Sequence, residues 1–100
     1  MEEDTDYLFV KRKLVALLEK YASVLDEEML TSVRHYIEHD EYEMGFEGLF
    51  IDLMKINFDP NSIEMDVYLK IGESLSLNVK SVFDGNFWMH LKNYVSTRQL

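Results

Sequence analysis

The run His35-Tyr36-Ile37-Glu38-His39 is the part of this sequence that comes nearest to a catalytic signature. It spells H-x-x-E-H, and on a helix the two imidazoles would project from one face. Such a pair can hold zinc, with Glu38 as the base that activates a bound water. Three features argue against that chemistry here. A catalytic zinc needs a third protein ligand, and no further histidine occurs until His90. The pattern closes a short helix beside several acids, and a chain of 100 residues has little bulk for a substrate cleft around a metal. The plainer expectation puts His35 on a polar face and His39 at a helix C-terminus, where positive charge suits the dipole. A zinc hydrolase using His35, Glu38 and His39 is therefore the remote alternative. No nucleophile elbow, phosphate-binding glycine loop or cysteine nucleophile is present, so neither an enzyme nor a cofactor is expected.

The acids carry more information. Nineteen Asp and Glu against ten Lys and Arg give a net charge of −9 at pH 7. That surplus repels nucleic-acid phosphates and anionic membranes, and it speeds encounter with basic partners. Many soluble domains carry excess acid for solubility alone, so the distribution decides. Between Arg34 and Lys55 there is no Lys or Arg, yet there are six acids: Glu38, Asp40, Glu41, Glu43, Glu47 and Asp52. Helix capping and dipole compensation account for Asp40 and Glu41. Glu43 and Glu47 stand one helical turn apart and should add potential on one face. The expected partner-binding residues are Glu38, Asp40, Glu41, Tyr42, Glu43, Glu47 and Asp52. The basic run Lys11-Arg12-Lys13 is too short to suggest nucleic-acid binding and reads as a solvated helix side.

These residues need elements to position them, and the apolar pattern supplies helices. One hundred residues favour a single domain; apolar residues make up 47% and charged residues 29% of the chain, a globular balance. Cysteine is missing, which rules out disulfides and thiolate sites. The acidic N-terminus, Met1-Glu2-Glu3-Asp4, lacks the character of a secretory signal. The longest purely apolar run, Leu14 to Leu18, is far too short to span a bilayer. A soluble, cytoplasmic protein is expected.

Tyr7, Val10, Leu14, Leu17, Leu18, Tyr21 and Leu25 form one stripe, predicting a first helix over residues 5–23 with Asp4, Thr5 and Asp6 as caps. Asp26 should cap a second helix ending near Glu38, with Leu25 and Leu30 placed for a hydrophobic staple. Asp40 should cap a third, whose stripe is Tyr42, Phe46, Leu49, Phe50 and Leu53. Gly45 and Gly48 lie inside it, each costing roughly 1 kcal/mol relative to alanine, and close helix–helix approach is the usual reason. Asp59-Pro60 should start a fourth helix carrying Ile63, Val67, Tyr68, Ile71 and Leu75. In the last quarter Leu77, Val79, Ser81 and Phe83 alternate before Asp84-Gly85, a hairpin signature. Phe87, Leu91 and Val95 instead fall at helical spacing, and helix over residues 86–97 is the preferred reading. The predicted architecture is an all-α bundle of four to six helices.

Residues 33–77 resemble the MafI-type immunity proteins of bacterial contact-dependent toxin systems. The resemblance lies in Tyr36-Ile37-Glu38-His39-Asp40-Glu41-Tyr42 and Gly45-Phe46-Glu47-Gly48-Leu49, then runs through Asp59-Pro60 into Ile71-Gly72-Glu73-Ser74-Leu75. It covers about half of the chain. It implies a small cytoplasmic antitoxin that binds one cognate toxin C-terminal domain, commonly a basic ribonuclease, and blocks its active site. An acidic inhibitor gains association rate from that complementarity. The alternative from charge alone is an acidic DNA mimic or another protein-interaction module. Oligomeric state is not legible in the sequence.

Overall fold

Asp6 caps the first helix by accepting the N–H of Phe9 at 3.1 Å, which satisfies one of the free donors of the first helical turn. The computed structural model describes residues 5–99, so the expected contributions of Asp4 and the acids before it lie outside the described residues. Five α-helices follow in order: α1 (Tyr7–Tyr21), α2 (Glu27–Glu38), α3 (Tyr42–Lys55), α4 (Met65–Ser74) and α5 (Phe87–Arg98), with a 3₁₀ turn at Pro60–Ser62. No strand occurs among the described residues. The all-α expectation holds. None of the described helices is long and apolar enough to cross a membrane.

The middle helix, α3, is the hub. Phe46, Leu49, Phe50 and Leu53, the expected stripe, are fully buried. Phe46 packs 4.7 Å from Phe50 and edge-on to Phe87 of α5 at 6.3 Å. Phe50 in turn meets Phe58 and Tyr68 edge-on, the geometry aromatic quadrupoles prefer. Around this hub the buried apolar residues of all five helices form one cluster. Gly45 lets α2 close on α3, since a Cβ there would meet Ile37 Cγ1 at 3.2 Å. Gly72, which carried no expectation, is tighter still: a Cβ would lie 2.4 Å from the Trp88 ring.

The helix ends explain most boundary differences. Asp26 caps α2 through the N–H of Glu28, and Leu25 and Leu30 are both buried, as a staple requires. Asp40 does not cap α3. It sits at φ 59, one residue past the cap of α2, where the N–H of Glu41 reaches the carbonyl of Tyr36 at 2.8 Å and that of Asp40 reaches Ile37 at 3.2 Å. That pair of bonds is a Schellman ending. The same ending recurs at Asn57 (φ 58) after α3 and at Ser76 (φ 63) after α4. None of the three is glycine, so composition gave no sign of them.

Asp59 does cap, through the N–H of Asn61, but what it caps is the 3₁₀ turn. Ile63 then runs extended (φ −131, ψ 168), and α4 starts afresh at Met65. The C-terminal segment is helical, as preferred. The Asp84-Gly85 hairpin does not form, because its tight turn needs positive φ and no glycine here has one. α5 is anchored at its far end by Tyr94, whose hydroxyl donates to the Phe58 carbonyl at 2.6 Å, and by Asn61, which donates to the Arg98 carbonyl.

Candidate partner-binding face

α2 and α3 run back along each other, and the segment between α4 and α5, residues 75–86, lies over α3 beside them. Glu47 creates this arrangement. It follows Phe46 on α3, just off the apolar stripe, and its side chain is 0% exposed. Oε1 accepts the N–H of Val82 at 2.7 Å, while Oε2 accepts those of Phe83 at 2.7 Å and Asp84 at 2.8 Å. A carboxylate is acceptor-only, so three converging amides suit it. Asp84 extends the brace, accepting the N–H of Asn86 at 2.9 Å and standing 3.0 Å from the His90 ring. The Asn86 amide first, and His90 beside it, hold the Asp84 carboxyl below its ordinary range.

Leu75 and Leu77 of the segment are buried, but beyond them, with residues 82–84 pinned, it turns apolar side chains outward. Val79 is 82% exposed, Val82 44% and Phe83 51%, with Met89 exposed on the first turn of α5. Phe83 rests 6.0 Å from the Tyr36 ring of α2 and against Gly48, where a Cβ would stand 3.7 Å from it. A Cβ at Gly48 would stand in ordinary contact with Phe83 and with Val33 of α2, so the packing there does not demand glycine. Sequence reading singled out none of these outward residues for binding. The available signal was the alternation at Leu77, Val79, Ser81 and Phe83: in a helical chain such a strand-like pattern has no sheet to join, and only Leu77 finds the core.

The expected acidic site divides. Glu38 and Asp40 are exposed and Glu41 and Glu43 half-exposed, all around the α2–α3 turn. Tyr42 is buried, stacked on Tyr7 at 5.6 Å, with its hydroxyl donating to Asp40. Burial first, and the Asp40 carboxylate second, push that phenol up. Glu47 and Glu43 do not form a shared outward face, because the 82–84 backbone covers Glu47. Asp52 is only 5% exposed and lies in the α2–α3 seam. Its Oδ2 is buried without a hydrogen-bond partner. Burial raises its pKa above the ordinary carboxylate value; Lys55 opposes the rise and Asp26 adds to it.

The His35 and His39 rings lie 4.1 Å apart and tilted by 37°, with His39 Nδ1 2.8 Å from the His35 carbonyl. Both are exposed at the end of α2. Among the described residues no group of three or more His, Asp or Glu is gathered to hold a metal, so the third ligand that zinc hydrolysis requires is not brought to them.

No family model, curated protein or solved structure matches this chain.

Proposed function

We propose that the protein is an antitoxin of the immunity type, which binds a basic toxin domain through the face made by α2, α3 and residues 78–89 and blocks its active site. The observation that carries this reading is the buried Glu47 carboxylate bracing a segment whose apolar side chains face solvent. A folded chain gains nothing in its own stability by displaying Val79, Val82 and Phe83; a rigid apolar display is what a binding partner uses. Rigidity lowers the ordering cost of association, and aromatic anchors such as Phe83 and Tyr36 are the type that dominate interface energy. Glu38, Asp40, Glu41 and Glu43 give the adjoining turn a negative field that would speed encounter with a basic domain. A DNA mimic draws less support, since Glu47 and Asp52 face inward and cannot imitate phosphates.

The reading expects a toxin-like C-terminal domain encoded immediately upstream of this protein, and the test uses that domain. Mixed with it, the chain should form a one-to-one complex on size exclusion, with an association rate that falls as salt rises. Cells expressing that domain should survive when this protein is co-expressed. No complex and no protection would overturn the proposal.

A further inference from the structure

Asp52 sits badly by the rules that govern a stable interior: a carboxylate atom is buried and has no partner. Such groups cost free energy in an isolated fold, and they persist where something else completes them. The surroundings indicate what that is. Asp52 opens into a cavity of about 220 Å³ between α2 and α3, walled by Met29, Val33, Tyr36, Ile51 and Phe83. Small-molecule sites run to roughly 300–1,000 Å³, so this one suits a single side chain. Its chemistry is an anionic floor beside two aromatic rings, and both attract a cation. Phe83, one of the two, belongs to the segment Glu47 holds in place.

We propose that the Asp52 pocket receives an arginine or lysine side chain of the partner protein, its charge meeting Asp52 and its stem lying against Tyr36 and Phe83. This rests on the protein-binding reading for its occupant, but its chemistry rests on the pocket. Lys55, one helical turn from Asp52 at the rim, is the chain's own competitor. It makes no ion pair within 4.0 Å of Asp52, and the incoming cation would displace it outward.

Two measurements separate the pocket from the toxin reading. The first needs no partner: titration of the full chain with N-acetyl-arginine amide, and separately with N-acetyl-lysine amide, followed by amide NMR. Saturable shifts at Gly48, Ile51 and Phe83 are expected from at least one probe, lost in Asp52→Asn and strengthened in Lys55→Gln. No localised shift from either probe, or shifts that survive Asp52→Asn, would overturn the proposal. The second uses the toxin domain that the proposed function expects. Asp52→Asn should weaken that complex by about thirtyfold or more, as loss of one member of a desolvated charge pair does, while leaving the free protein at least as stable. Equal affinity of wild type and Asp52→Asn for the toxin would overturn the pocket and leave the antitoxin reading intact. Probe binding without any toxin complex would do the reverse. If Lys55 were the true occupant, Lys55→Gln would lower stability and leave the probes no tighter, and the proposal would fall.

Discussion

Glu47→Gln replaces one oxygen with a nitrogen and removes one charge, so it tests the brace on residues 82–84 with the least disturbance to packing. In the native chain both carboxylate oxygens accept, one from Val82 and the other from Phe83 and Asp84. A carboxamide presents a donor on one side, so whichever way it turns, at least one loop amide faces another N–H. A hydrogen bond to a charged group contributes about 1.5–3 kcal/mol, which puts the ceiling for three near about 9 kcal/mol. Burying the carboxylate takes several kcal/mol from that figure. Val82 and Phe83 are also exposed enough for their amides to turn to water once released. The expected loss is then about 2–3 kcal/mol, a large share of the roughly 5–15 kcal/mol that holds a domain folded. Urea unfolding should show a lower midpoint at nearly constant slope. Amide exchange at 82–84 should accelerate far more than exchange in the α3 interior. Glu47→Asp, which keeps the charge but shortens the reach, should behave similarly. A Gln variant within about 0.5 kcal/mol of wild type, with its 82–84 amides still protected, would refute the bracing role.

Gly72→Ala should destabilise the chain by about 1–3 kcal/mol, because the added methyl meets the Trp88 ring at 2.4 Å; a shift in tryptophan fluorescence should accompany the drop in thermal midpoint. Ser76→Gly should act in the opposite sense, gaining about 0.5–1 kcal/mol by relieving the left-handed backbone at φ 63, read as a rise in Tm. For Asp52 the sign follows from its raised pKa. The folded chain keeps a proton that the unfolded chain has released, so stability falls as pH rises from the ordinary carboxylate range through the raised value. The Tm advantage of Asp52→Asn over wild type should therefore widen from about pH 4 to about pH 7, and a constant gap would refute it. Asp84, lowered mainly by the Asn86 amide, works the other way: the stability it supplies is present above the ordinary carboxylate value and is lost as pH falls through its lowered one. His90→Ala, removing a secondary cause of that lowering, should make acid unfolding begin at a slightly higher pH.

The sequence made some of this legible because the cause was local. α2 runs from just after Asp26 to Glu38 as expected, since a cap, two acids in the first turn and a regular stripe all lie within a dozen residues. The aromatic stripe of α3 was readable for the same reason. The misplaced features depend on what the chain meets later. Asp40 looks like a cap because it precedes an apolar stripe, yet its role is set by the turn that closes α2. Asp59 caps as its type predicts, but Ile63 breaks the run and delays α4. Gly72 is an ordinary glycine until Trp88, sixteen positions on, lies across it.

Glu47 carries the same lesson into function. By charge counting it belongs with Glu38, Asp40, Glu41 and Glu43, and a purely electrostatic reading places all of them on one outward face. The fold gives these acids different work. The four around the α2–α3 turn remain at the surface, where their field can act at a distance. Glu47 converts its charge into backbone order thirty-five residues away in sequence, which is how Val82 and Phe83 come to stand in solvent on a firm base. Asp52 is neither dispersed in solvent nor paired, and it sits where that ordered segment closes over the α2–α3 seam. An acidic stretch with one role would leave the apolar display and the unpartnered carboxylate as separate oddities. The proposed function gives each a part in one encounter: field at the turn, anchor at Phe83, and a single charged socket at Asp52.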